Sequence, residues 1–201
     1  AMLHTFWFDA AHDAFSRIEQ EDPRCALAYW GRAMTLMGNP MTRSAPSPER
    51  LRMGLQLAER AREIAAGASH REQMWADAAL AYYRDHASRD HLARMKSHEQ
   101  AFDALRRAHP EDMEATIFYA RTVVANAPPT DQTFANQLAA AELLQPLFEQ
   151  HQDHPGLAHY LIHAYDAPAI ASKGARAAQA YASIAPAAPH ALHMPSHIFT
   201  R

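Results

Sequence analysis

The chain has 201 residues, 48% apolar and 20% charged, with a net charge of −3 when its 14 histidines are neutral. That balance supplies a packed core and excludes a disordered chain, and it offers no basic surface to nucleic acid or an anionic membrane. Cys25 is the only cysteine. An internal disulfide framework and multi-cysteine zinc or iron–sulfur sites are therefore excluded, and no apolar run reaches the ~18–20 residues of a membrane span.

Abundant alanine, scarce glycine and the near absence of β-branched runs favour helix throughout. In chain order, helices are expected near 5–19, 24–37, 48–66, 70–87, 90–108, 111–126, 131–151, 155–166, 170–184 and 188–201. The residues between Gly38 and Pro48 form the longest loop, and Ala127-Pro128-Pro129-Thr130 a shorter one. Pro146 falls inside a helical run and is expected to kink it. Trp75, Ala78 and Tyr82 make one apolar stripe; Met113, Ile117, Ala120 and Val124 make another. Trp7, Trp30 and Trp75 read as packing residues, and Met34, Met37 and Met41 as core filler rather than copper ligands.

The helices meet at similar joints. Glu21-Asp22-Pro23, Ala108-His109-Pro110, Asp153-His154-Pro155 and Ile184-Ala185-Pro186 each end one helix and are expected to open the next, since proline suits a first helical turn. A fifth joint lacks proline but carries Ser69-His70-Arg71-Glu72, a capping box. The joints fall near 23, 67, 110, 155 and 186, at steps of about 44, 43, 45 and 31 residues, the length of a helix–turn–helix unit. One repeat domain over 1–201 is expected: a right-handed stack of antiparallel helix pairs with a concave face. The ending Ile198-Phe199-Thr200-Arg201, without a cap, suggests a fragment of a longer protein. A soluble chain is expected, the cytoplasm favoured over the periplasm.

Ala28-Tyr29-Trp30-Gly31-Arg32-Ala33, the run from His154-Pro155-Gly156 through His159 and His163 to Ala164, and His190 through His193-Met194-Pro195-Ser196-His197-Ile198-Phe199 carry a specific pattern. They resemble a group of bacterial tetratricopeptide-repeat (TPR)-like proteins with an H-P-G-x-x-H-x-x-x-H-A segment followed by H-x-x-H-M-P-x-H-I. The resemblance covers most of the chain and is closest in its last 50 residues. It implies an all-α, TPR-like α-solenoid and no particular reaction.

Chemistry concentrates at the same end. His159 and His163 are four apart with Asp166 three further on, and His190, His193 and His197 follow at steps of three and four. Offsets of three, four and seven share one helical face, and imidazole is the commonest metal-binding side chain. Asp166 could be a ligand or the partner that fixes an imidazole tautomer. His159 and His190 each follow a joint proline by four, so the two sets are expected in equivalent slots of neighbouring repeats, holding one ion or two. Pro195 weakens the one-face geometry if it starts a new helix. The set suits Zn, Cu, Fe, Ni or Mn, and a bound ion would open hydrolysis or oxidation to the protein.

A second reading makes the histidines structural braces. The protein is then an interaction scaffold, binding a peptide or protein partner in its concave groove through Arg121, Asn126 and Asn136. His109 and His154 read as helix-end residues; His4, His12, His86, His91 and His98 are expected on solvated faces, and His151 outside the site. No Gly-rich phosphate loop, G-x-S-x-G or H-E-x-x-H segment is present.

Overall fold

A computed structural model describes all residues, 1–201. It is all-helical, with no strand, and it divides into two compact units: Phe8–Ala115, and residues 1–7 together with 116–201. No helix is long and apolar enough to cross a membrane.

The Phe8–Ala115 unit contains α1 (Phe8–Glu21), α2 (Ala26–Leu36), α3 (Pro48–Ala65), α4 (His70–Tyr83) and α5 (His91–Ala108). Each packs on the next in sequence. The caps explain where they start. Ser47 accepts from the Arg50 amide with Pro48 in the first turn, Asp90 accepts from the Ala93 amide, and the capping box of Ser69 and Glu72 forms as expected. Trp30 meets Trp75 edge to face at 4.9 Å, and Trp75 meets Phe102 at 5.5 Å. Gly54 lets α3 approach α4, because a Cβ there would lie 2.1 Å from the Tyr83 ring. That ring is pinned by its hydroxyl, which donates to the Ala33 carbonyl at 2.6 Å. His98 departs from expectation. It is fully buried and donates from Nδ1 to the Ala78 carbonyl at 2.6 Å, tying α5 to α4. Trp7, by contrast, is exposed rather than packed.

The other unit takes α6 (Met113–Ala125) from Thr116 onward, then α7 (Ala135–Gln150), α8 (Pro155–Tyr165), α9 (Ala175–Ile184), α10 (Pro189–His193) and α11 (Ser196–Phe199). The α7 helix runs through Pro146. At its centre is α8, touched by α7, α9 and α11. Nine of its 11 residues are buried, so it has no solvent face and is apolar nearly all round. His154 caps it as expected, its Nδ1 accepting from the Leu157 amide, with Pro155 at the first helical position.

Other joint prolines behave differently. Pro23, Pro110 and Pro186 lie in connecting turns, and α10 begins instead at Pro189. His190 is thus the second residue of its helix while His159 is the fifth of α8, so their slots are not equivalent. The first helix also starts later than expected, at Phe8, because Phe6 adopts a left-handed φ of 55° that ends the preceding turn.

Candidate metal centre

Inward-facing imidazoles meet where α8 passes α10. His159 projects from the middle of α8, where helix packing leaves it fully buried. His163 lies one turn along the same face, and its Nε2 is 3.1 Å from the His159 Nε2. His190, from the start of α10, brings its Nε2 to 3.0 Å from the same atom. The three nitrogens all lie within 4.8 Å of one another.

The tautomer of His159 is fixed by its other nitrogen. Nδ1 is 2.5 Å from the main-chain oxygen of His4. A carbonyl only accepts, so Nδ1 carries the hydrogen and the neutral ring presents a bare lone pair at Nε2. That single lone pair accepts one N–H, yet two other Nε2 atoms stand at hydrogen-bond distance from it. A cation between the three nitrogens removes this conflict. Imidazole binds zinc at about 2.0–2.1 Å, which places two ligands of one ion about 2.9 Å apart at right angles and about 3.3 Å apart in a tetrahedron. The Nε2 separations of 3.0 and 3.1 Å about His159 lie in that interval.

Aromatic rings close the centre. Tyr181 stacks on His159 at 5.0 Å and 13°. Phe6 meets His159 edge-on at 4.5 Å and stacks over His163 at 5.9 Å and His190 at 5.3 Å. The segment carrying Phe6 is seated by the glycine of the H-P-G run, since a Cβ at Gly156 would lie 2.6 Å from the His4 Nδ1. That nitrogen also meets the Tyr160 hydroxyl at 3.2 Å. Burial pushes His163 down to about 3, with the neighbouring His190 and His197 adding to the effect. His190 is pushed down to about 4, again first by burial. His159 is held well below its ordinary value by burial and then by His163. All three are neutral at physiological pH, the state that binds metal.

The remaining histidines follow directly. Met194 and Pro195 both keep right-handed helical dihedrals, so the chain continues its helical sense from α10 into α11 despite the proline. His193 and His197 consequently face each other, Nε2 to Nε2, at 2.8 Å. The His197 Nδ1 lies 2.7 Å from Asp166 Oδ2, while Arg201 donates to Asp166 Oδ1 at 2.8 Å. Asp166 thus spends both oxygens on a histidine and an arginine, at the C-terminus of α8. Gly174 admits α11 closely, because a Cβ there would meet Ile198 at 2.8 Å.

Every histidine singled out from spacing is therefore in one neighbourhood, and His151 is exposed outside it. Two contributors escaped the sequence: the His4 carbonyl and the Phe6 ring, more than 150 residues away along the chain and marked by no motif. His4 is buried rather than solvated. Arg121, expected to line a groove, is buried beneath Phe118 with its guanidinium 4.8 Å over that ring. Asn136 donates to the Val123 carbonyl at 2.9 Å at the end of α6.

Fold and site together define an all-helical chain carrying a histidine-rich group able to hold a metal ion. No protein-family model matches the chain, and neither does any curated protein or solved structure.

Proposed function

We propose that this chain binds a divalent first-row transition metal ion through the Nε2 atoms of His159, His163 and His190. The observation that carries the reading is the convergence of three Nε2 atoms within 4.8 Å, one of them deprotonated by the bond from its own Nδ1 to a main-chain oxygen. Metal-bound histidines characteristically donate their other nitrogen in this way. All-nitrogen ligation suits Zn, Cu, Ni, Fe or Mn. Three protein ligands leave positions for water or a small molecule, so Lewis-acid activation is the chemistry such an ion supplies. A TPR-like solenoid remains the architecture we propose, supported by the packing of helices adjacent in sequence.

The scaffold alternative loses support because Arg121 is buried and Asn136 donates to the Val123 carbonyl. Elemental analysis of protein purified without a nickel column tests the metal reading. About one equivalent or more is expected, with one equivalent lost in His159→Ala/His163→Ala. Metal content that is negligible in the parent, or unchanged in that variant, overturns it.

A further inference from the structure

His193 and His197 stand apart from the three-histidine set. Neither belongs to the group of ligand atoms that His159, His163 and His190 bring within 4.8 Å of one another. Ligands of one ion lie at most about 4.2 Å apart, twice a metal–imidazole distance. The outer pair also has its own anchoring. Asp166 takes the Nδ1 hydrogen of His197, which leaves the Nε2 lone pair aimed at the Nε2 of His193, 2.8 Å away. Arg201 holds the carboxylate from the other side at 2.7 Å. Carboxylate–histidine pairs of this kind orient a ring for metal ligation. His159 receives the equivalent service from the His4 carbonyl, so each set has a separate fixed member.

Their surroundings differ too. His159 is fully buried among aromatic rings, whereas His193 is exposed. The two sets adjoin, with ring centroids 6.0 Å apart between His190 and His193 and 6.1 Å between His163 and His197.

We infer that His193 and His197, steered by Asp166, hold a second transition metal ion beside the first. This rests on the metal-binding reading of His159, His163 and His190. The outer ion has two protein ligands and open positions toward solvent, where water or an anionic oxygen of a small substrate binds. Adjacent ions sharing one substrate are a recurrent device for clamping attacking and leaving oxygens.

The test titrates the metal-free full chain with Co2+ at pH 7.5, counting bound metal after gel filtration. The parent is expected to bind two equivalents, and both His193→Ala and His193→Ala/His197→Ala one. Circular dichroism checks that the variants are folded, and the exposed His193 makes the single variant the safer arm. A parent that binds one equivalent, retained in both variants, overturns the second ion and leaves the inner site standing. One equivalent lost in the variants means a single shared ion and also overturns it. Two equivalents in parent and variants alike place the second ion elsewhere. No binding by the parent removes both readings.

Discussion

The main-chain oxygen of His4 accepts a hydrogen bond from the Nδ1 of His159 at 2.5 Å, joining residues 155 positions apart. This bond chooses the tautomer of a buried imidazole and so decides which nitrogen faces His163 and His190. Gly156 is what permits it, because any larger residue there runs into the His4 ring. Gly156→Ala is therefore expected to weaken metal binding by about 10–100-fold, the usual cost of disturbing a ligand's orienting partner. Competition with a chromogenic chelator measures this. Unchanged affinity would show that the His4 carbonyl has no part in the site.

Phe6 combines a buried ring with a left-handed backbone. Phe6→Ala removes the ring packed on three imidazoles while keeping the unfavourable φ, and is expected to cost about 3–5 kcal/mol. Phe6→Gly loses the same ring but relieves roughly 1 kcal/mol of backbone strain. Chemical denaturation should therefore find the glycine variant the more stable of the two, reversing the usual preference for alanine over glycine.

Acid should destabilise the metal-free protein in a defined window. His163 and His190 are pushed down to about 3 and about 4 when folded, from an ordinary value of 6.5. Between those limits the unfolded chain binds more protons, so stability rises with pH. Each group then contributes a slope of up to about 1.4 kcal/mol per pH unit. The melting temperature should fall as pH drops from about 6.5 toward 4 and stay flat, as far as these groups act, above 7. His163→Gln should lessen the slope.

Much of the fold was legible because its signals are local. The capping box at Ser69 and Glu72, the N-cap at His154 and Pro155 in a first turn act over one helical turn, and they set boundaries wherever they occur. Histidine spacing picked out the cluster for the same reason, since a four-residue step fixes two side chains on one face. The proline joints misled at Pro186 because proline fits a turn as well as a first helical residue, and Pro189 took the helical position. His98 and His4, expected on solvated faces, are buried instead, because burial of a histidine depends on a distant carbonyl or ring that spacing does not encode. The aromatic enclosure is likewise a tertiary product, made when an N-terminal segment meets α8 and α10.

Asp166→Asn separates the two histidine sets. It weakens the acceptor that holds His197 Nδ1 while removing none of the three inner imidazoles, of which His163 feels the charge of that carboxylate. The variant should keep its first equivalent of metal at parental affinity and bind the second about 10–100-fold more weakly. Calorimetric titration resolves the two steps.

Metal should also stabilise the fold, because the ligands converge only in the folded chain. At free metal about 100 times the dissociation constant, linkage adds ~2.7 kcal/mol. For a chain of this size that raises the melting temperature by about 5–10 °C. A chelator should reverse it.

Anomalous diffraction at the absorption edge of a soaked metal tests the central claim most directly. A peak bonded to the Nε2 atoms of His159, His163 and His190 is expected, with His159 Nδ1 still donating to the His4 carbonyl. Crystals soaked at saturating metal that show no peak there, with the three rings hydrogen-bonded only to one another, would contradict it.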